Sequence, residues 1–204
     1  MEFETRVRIS IDQSIVWFDI PKVASTAIKA ALAQDKVLRG REDGRSEWHN
    51  GVKWSEVRKE IKQNAFTFAF VRHPYDRILS TFKMFQKERF RPYGFPQKLE
   101  DFLELLNKPE CPPPMHGHTM PMHGIMPIKH NKPDLDFLGR FETLKEDWKT
   151  LQNRFGWRDL PSKSSQVHVT EHHLKFTPNQ AKIVAKYCKR DFEIFGYNPK
   201  DFVE

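Results

Sequence analysis

The sequence predicts an α/β fold in which a central, mainly parallel sheet is flanked by helices in three layers. Short apolar segments typical of buried strands alternate with segments whose apolar residues recur at helical spacing. A length of 204 residues fits one globular domain, so we take residues 1–204 as a single unit. The 17 Phe and 5 Trp residues supply enough bulky apolar surface for a packed core, which argues against disorder.

The first strand and helix lie near the N-terminus. Residues 14–20 form a β-branched and aromatic segment bounded by Pro21, which predicts a buried strand. Residues 24–33 are rich in alanine and place apolar side chains three and four positions apart, which predicts a helix. The turn between them therefore joins the end of a strand to the start of a helix.

A second strand and helix repeat this arrangement. Residues 65–71 predict another buried strand, and Pro74 is expected at the first position of the helix that follows. An apolar stripe continues along that helix through Ile78, Leu79, Phe82 and Phe85.

Two later helices have starts that can be read from the sequence. Residues 136–141 are a weaker strand candidate, after which Thr143 and Glu146 predict a capping box at the start of a helix. Thr177 and Gln180 predict the same motif at the start of the last helix.

One segment interrupts the alternation of strands and helices. Residues 107–134 hold 7 of the 14 prolines, 4 of the 9 histidines and 4 of the 6 methionines, so we expect a loop without regular structure, either a functional lid or a disordered insert. Since binding residues concentrate on loops, this segment is our candidate for selecting a binding partner. The spacing of its cysteine and histidines matches no standard zinc pattern, so no metal site is predicted for Cys111, His116, His118, His123 and His130.

Composition limits the class of partner and the compartment. The net charge is +7, and residues 36–91 account for all of it with 14 basic and 7 acidic side chains, which indicates an anionic partner. We expect a cytoplasmic protein without a membrane span, because the sequence has no apolar run of about 18 residues and no signal-peptide pattern. Its two cysteines are too few for a disulfide framework.

Two strand-to-helix turns carry candidate anion-binding residues. After the first strand come Lys22, Ser25 and Thr26 at a helix start, where free backbone N–H groups favour phosphate, although the Walker pattern of a P-loop kinase is missing. A capped helix with a solvent-facing lysine is the alternative. After the second strand come Arg72 and, on the next helix, Ser80, which together could bind a second phosphate. Here the alternative is an ion pair between Arg72 and a carboxylate, Asp76.

Four segments resemble sulfotransferases that use 3'-phosphoadenosine 5'-phosphosulfate. Pro21-Lys22-Val23-Ala24-Ser25-Thr26 resembles their 5'-phosphosulfate loop, and Arg72 with Ser80 resembles their 3'-phosphate motif. Residues 137–144 and 187–197 are similar to the carbohydrate sulfotransferase branch, which belongs to sulfotransferase family 2. The resemblance covers residues 15–197 and implies a P-loop-like nucleotide-binding fold with metal-independent catalysis. A stretch at 162–165 loosely resembles the region where relatives close over the nucleotide, and we assign no ligand there.

The resemblance implies a role for each matched residue. Lys22 would stabilise the negative charge that builds up on the bridging oxygen during sulfuryl transfer, as in related phosphoryl transfers. Arg72 and Ser80 would hold the 3'-phosphate. The 5'-phosphosulfate would be held by the backbone N–H groups of Val23, Ala24, Ser25 and Thr26, together with the hydroxyls of Ser25 and Thr26.

Relatives place a general base between the two cofactor motifs. His49 is the only histidine between Lys22 and Arg72, and a near-neutral pKa suits imidazole to the task. A surface-loop histidine is the alternative reading, and Glu47 and Glu56 are the nearest carboxylate substitutes. Position 73, often acidic or Asn in relatives, is His here, and we expect it to be a helix cap or a wall of the site.

The sequence is therefore identified as a member of this family. We expect transfer of a sulfuryl group from 3'-phosphoadenosine 5'-phosphosulfate to a hydroxyl, with no nucleic-acid partner. The resemblance to the carbohydrate branch implies that this hydroxyl belongs to a carbohydrate. A nucleotide-dependent phosphotransferase on a similar fold and a non-catalytic, basic nucleic-acid-binding domain are the rivals. A catalytically silent relative that only binds the nucleotide is a third possibility.

Overall fold

A computed structural model describes residues 6–37, 52–161 and 176–201. The described part contains a five-stranded sheet and a separate two-stranded hairpin. The strands are β1 (Arg6–Ile9), β2 (Ile15–Phe18), β3 (Val52–Lys53), β4 (Phe66–Val71), β5 (Ile128–Lys129), β6 (Lys132–Pro133) and β7 (Phe137–Arg140). The large sheet has the order β3-β1-β2-β4-β7, and β5 pairs with β6.

The sheet is mainly parallel, with one strand reversed. β4 runs parallel to both β2 and β7, with Phe18 opposite Ala69 and Gly139 opposite Phe70. β1 is antiparallel to its neighbours β2 and β3 and is the strand that runs against the other four. The three parallel strands match the three predicted from the sequence, whereas β1 and the two-residue β3 were not predicted.

Helices follow each of the three parallel strands. α1, α3 and α6 come after β2, β4 and β7 respectively, so their starts lie at one edge of the sheet. None of the helices in the described ranges has the length and apolar character to cross a membrane. The α-helices are α1 (Ser25–Gln34), α2 (Lys59–Asn64), α3 (Pro74–Phe85), α4 (Leu99–Glu104), α5 (Pro113–Thr119), α6 (Leu144–Phe155), α7 (Pro178–Tyr187) and α8 (Lys189–Phe195).

Aromatic side chains dominate one face of the sheet. Trp17 and Phe68 stack with ring centroids 6.0 Å apart, and Phe70 lies 6.5 Å from Trp148 of α6. These rings are fully or almost fully buried, and burying large apolar surface is the main stabilising contribution to a core. The other buried cluster forms where α3 packs with α4, α7 and α8.

Gly139 allows β7 to lie close to β4. A Cβ atom on this residue would lie 2.6 Å from Cδ1 and 2.9 Å from Cζ of Phe70, whose side chain is fully buried. The ring of Phe70 therefore occupies the space that any side chain at position 139 would need. This close approach allows β7, which ends at Arg140, to pair with β4 beside Arg72.

The two capping predictions have different outcomes. At α7, Thr177 accepts from the Gln180 N–H and the Gln180 side chain accepts from the Thr177 N–H, so the capping box is confirmed. At α6 the helix begins as predicted, but the capping box is wrong. Thr143 has φ of −116° and ψ of 31°, outside the extended conformation typical of an N-cap, and its side chain makes no cap hydrogen bond. Its hydroxyl donates to Asp147 (2.7 Å), whose carboxylate also accepts the Arg140 N–H.

The prediction that residues 107–134 lack regular structure is wrong. They contain α5, a 3-10 helix over Met122–Gly124, and the β5–β6 hairpin. The prolines do not prevent this, because Pro113 and Pro114 occupy the first turn of α5, where a missing N–H is tolerated. Met115 and Met122 are fully buried, so the segment packs into the protein instead of covering it loosely.

Candidate functional site

The site begins at the loop that joins β2 to α1. Lys22 and Ala24 both adopt the left-handed backbone region, with φ of 72° and 70°, a conformation that costs a non-glycine residue free energy. Ala24 is the N-cap of α1, and its carbonyl accepts from the N–H groups of Ala27 and Ile28. The backbone N–H groups that precede Ala27 therefore lie at the open, positive end of the helix.

Three side chains hold three successive carbonyls of this loop. The Ser25 hydroxyl donates to the carbonyl of Ile20 (2.6 Å), Arg77 Nε donates to Pro21 (3.1 Å), and Arg72 donates to Lys22 (3.3 Å). The carbonyls of residues 20–22 are thus turned toward the protein interior. These bonds supply the restraint that a strained loop conformation requires, and they place the loop beside the end of β4.

Arg72 lies at the end of β4 and is 3% exposed. Its guanidinium lies 3.7 Å from the Asp76 carboxylate and 4.0 Å above the centre of the Phe141 ring. Burial lowers the pKa of Arg72, and the charges of Asp76 and Glu142 oppose that shift. The ion pair considered from the sequence is therefore present, and the same guanidinium also contacts the first motif through the Lys22 carbonyl.

Ser80 lies on α3, one turn beyond Asp76, and is half-buried. Within α3 the spacing of four residues puts Asp76 and Ser80 on the same face of the helix. Arg72 precedes the helix and pairs with Asp76, so this carboxylate lies between the two predicted 3'-phosphate residues in the sequence.

A group of cationic side chains surrounds the start of α1. Lys29 is buried and lies 2.9 Å from Asp19, which also pairs with Arg8 at 2.8 Å. Burial alone would raise the pKa of Asp19, but Lys29 and Arg8 hold it below its usual value. These ion pairs connect the end of β2 to both β1 and α1.

His118, in the last turn of α5, lies near this cationic group. Burial lowers the pKa of the imidazole to about 4, and the positive charges of Lys22, Arg77 and Lys29 contribute to the shift. The ring packs edge-on against Phe85 of α3 with centroids 5.9 Å apart. The structure therefore brings a neutral histidine from residues 107–134 into the electrostatic environment of Lys22.

The two later segments that resemble the family, residues 137–144 and 187–197, contact each other close to the start of α3. Glu142 accepts from the His73 N–H (2.7 Å) and from the Tyr197 hydroxyl (3.0 Å), and the Arg140 guanidinium lies 4.7 Å from the Tyr197 ring. His73 is the N-cap of α3 by position, but its side chain makes no cap hydrogen bond and packs against Tyr75, Phe192 and Tyr197. These contacts fix the end of β7 beside the start of α3.

Asp191 of α8 fixes the segment that follows α5. Its buried carboxylate accepts from the N–H groups of Met122 (2.7 Å) and His123 (2.9 Å), and its Oδ1 lies 2.7 Å from Nδ1 of His123. Residues 187–197 therefore hold residues 122 and 123 through Asp191. They also contact the end of β7, where Arg140 donates to the Phe195 carbonyl.

Two of the predicted base candidates, His49 and Glu47, lie outside the described residues, as does the stretch 162–165. The third, Glu56, is exposed and lies 3.6 Å from Lys53. Among residues 6–37, 52–161 and 176–201, no group of three or more His, Cys, Asp or Glu side chains could hold a metal ion.

Sequence reasoning missed the roles of Arg77 and His118. Arg77 stands inside the second motif, and a charged residue next to the apolar positions Ile78 and Leu79 was the available signal that it faces a buried polar group. No sequence pattern indicates the position of His118, because its place near Lys22 depends on the packing of α5 against α3.

The fold is α/β, and cationic side chains gather at the carboxyl edge of its parallel strands, where helix starts favour negatively charged groups. A comparison with models of protein families matches residues 5–198 to the sulfotransferase family. The chain belongs to the sulfotransferase family, a family of transferases, as predicted from the four motifs. Two further comparisons, with curated proteins and with solved structures, found no match.

Proposed function

We propose that the chain transfers the sulfuryl group of 3'-phosphoadenosine 5'-phosphosulfate to a carbohydrate hydroxyl and releases adenosine 3',5'-bisphosphate. The observation that carries the proposal is the hydrogen bond from Arg72 to the Lys22 carbonyl. It joins the proposed 3'-phosphate residue to the proposed phosphosulfate loop, as one doubly phosphorylated ligand requires. The proposal includes the three-layer, P-loop-like arrangement of nucleotide-binding folds and needs no nucleic-acid partner.

The residues present fit a doubly anionic nucleotide. The start of α1 supplies backbone N–H groups and the positive end of a helix dipole for the 5' end. Val23, Ala24, Ser25 and Thr26 provide these N–H groups, and the exposed Thr26 adds a hydroxyl. Arg72 and Ser80 would hold the 3'-phosphate, which distinguishes this ligand from ATP.

Each proposed catalytic residue has one task. The bound phosphosulfate supplies an electrophilic sulfur. As the acceptor oxygen bonds to sulfur, the bond from sulfur to the bridging oxygen breaks, and the Lys22 ammonium stabilises the charge left on that oxygen. The acceptor proton passes to His49, which we retain as the proposed base. Glu56 is a weaker candidate, because it is exposed and next to Lys53.

We also propose a reducing, cytoplasmic setting. Cys111 and Cys188 are both free and buried, which is consistent with thiols that are structural and not part of a disulfide framework.

The test compares Lys22→Ala with a matched surface variant, Lys145→Ala, whose side chain is exposed on α6. Turnover is followed by mass spectrometry with the phosphosulfate donor and a panel of hydroxyl-bearing carbohydrates. Loss of a preorganised charge at the reacting oxygen should lower turnover by about 100-fold or more. Affinity for adenosine 3',5'-bisphosphate should change by less than about tenfold, since Lys22 is one of several groups that hold it.

Lys145→Ala should match the wild-type protein in both measurements. Wild-type turnover in Lys22→Ala would remove Lys22 from the mechanism. In a parallel assay, ATP replaces the phosphosulfate donor. Transfer of a phosphoryl group from ATP to a carbohydrate would support the phosphotransferase alternative.

A further inference from the structure

Arg77 of α3 is an almost fully buried arginine, 1% exposed, to which the mechanism above gives no task. Its guanidinium makes three hydrogen bonds, all to backbone carbonyls. Nε donates to Pro21 (3.1 Å), one terminal nitrogen donates to His118 (3.1 Å), and the other donates to Thr119 (3.4 Å). Burying a cation costs free energy unless its N–H groups form hydrogen bonds. The three carbonyls therefore stabilise the guanidinium of Arg77 in its buried position.

The carbonyls belong to two segments that are far apart in sequence. Pro21 precedes Lys22 in the loop proposed to bind the phosphosulfate. His118 and Thr119 form the C-terminal end of α5, where helix carbonyls lack partners within the helix. A guanidinium is suited to this position, because its fork is planar and cations are favoured at helix C-termini.

Neighbouring contacts strengthen the attachment on the α5 side. Thr81, one turn after Arg77 on α3, donates to the Arg77 carbonyl (3.0 Å) and lies 3.3 Å from the His118 carbonyl. The Thr119 hydroxyl donates back to Met115 within α5. The end of α5 is thus held by α3, but within this cluster Arg77 is the residue that also contacts the Pro21 loop.

We propose that Arg77 is a positioning residue that couples the phosphosulfate loop to the end of α5, so that nucleotide binding also orders part of residues 107–134, the segment that would select the acceptor under the proposed function. The inference rests on the proposed function, because it takes residues 21–26 as the nucleotide loop. Arg77 does not touch the nucleotide. Its planar guanidinium binds both the Pro21 carbonyl, which precedes Lys22, and the His118 carbonyl at the end of α5. A ligand that restrains the loop therefore also restrains α5 through this side chain.

The test is hydrogen–deuterium exchange of the full chain, with and without saturating adenosine 3',5'-bisphosphate as the probe. In the wild-type protein, the probe should slow exchange in a peptide covering residues 21–27 and also in one covering 113–124. The second effect should be at least about fivefold, the lower end of common coupling between sites.

Arg77→Lys keeps the charge but cannot span three carbonyls with a planar fork. With probe bound, this variant should still protect residues 21–27, while the bound-to-free exchange ratio for 113–124 should return to about one. Thr81→Val removes one hydroxyl and leaves Arg77 in place, so its ratio should remain near wild type. A variant that only loosens the packing would raise exchange in both states and leave the ratio unchanged.

Three results would overturn the inference. The first is probe protection of residues 21–27 in the wild-type protein with no change in 113–124, which needs no variant to fold. The second is Arg77→Lys with wild-type protection of 113–124. The third is no protection anywhere in the wild-type protein, which would overturn the proposed function as well and is thereby distinguished from the other two.

Discussion

Replacing Arg72 with lysine tests whether this residue holds the 3'-phosphate. The variant keeps the positive charge near Asp76 but loses the planar guanidinium that lies over Phe141. Any change in protein stability should affect all ligands alike. The effect on the 3'-phosphate is isolated by measuring two ligands, adenosine 3',5'-bisphosphate and adenosine 5'-monophosphate, which differ only in that phosphate.

The expected size follows from the surroundings of Arg72. The side chain is 3% exposed and is already held by the Lys22 carbonyl and by Phe141, so it loses little freedom when a ligand binds. A hydrogen bond to a charged group contributes about 1.5–3 kcal/mol. The bisphosphate should therefore bind about 10- to 100-fold more weakly to Arg72→Lys. The monophosphate should change by less than about threefold, because it lacks the 3'-phosphate that Arg72 would contact.

Isothermal titration calorimetry measures both affinities directly. Arg154→Lys is the matched control, since Arg154 is an exposed arginine that packs over Phe66 and Phe155. It should leave both affinities at wild-type values. Equal weakening of the two ligands in Arg72→Lys, or no weakening of the bisphosphate, would refute the assignment of Arg72 to the 3'-phosphate.

Two further predictions concern stability. Folding lowers the pKa of His118 from 6.5 to about 4. Between these two pH values the imidazole is protonated in the unfolded chain and neutral in the folded chain, so the free energy of unfolding decreases as the pH falls. Relative to His118→Gln, the wild-type protein should lose about 3 kcal/mol of unfolding free energy between pH 7 and pH 4 in urea titrations, and parallel curves would contradict this. Gly139→Ala should lower the unfolding free energy by about 1–3 kcal/mol or more through the clash with Phe70, and an unchanged urea midpoint would show that the ring can move.

The sequence was sufficient for features that depend on local patterns. The strands at 15–18 and 66–71 are apolar segments followed by turn residues, and their parallel pairing brought Lys22 and Arg72 to one edge as expected. Pairing of these strands follows from the helical crossover between sequence-adjacent units. The first two motifs could therefore be assigned to a common site before the contacts were known.

Features that depend on distant packing could not be predicted. α5 was missed because prolines are typical helix breakers, whereas Pro113 and Pro114 occupy the first turn of this helix, where proline is tolerated. Arg77 and His118 acquire their roles from hydrogen bonds that span about 40 residues of sequence. The capping box at Thr143 was predicted wrongly because the backbone of this residue is not in the extended conformation typical of an N-cap, which the sequence does not show.

Thermal unfolding in the presence of nucleotides tests the central claim, that the donor is a 3'-phosphorylated adenosine phosphosulfate. A ligand at 100 times its Kd stabilises the folded chain by about 2.7 kcal/mol, which for a chain of 204 residues corresponds to about 5–10 °C in Tm. Adenosine 3',5'-bisphosphate should produce a shift of this size at concentrations where ADP and ATP produce little. Equal or larger shifts with ADP or ATP would contradict the claim.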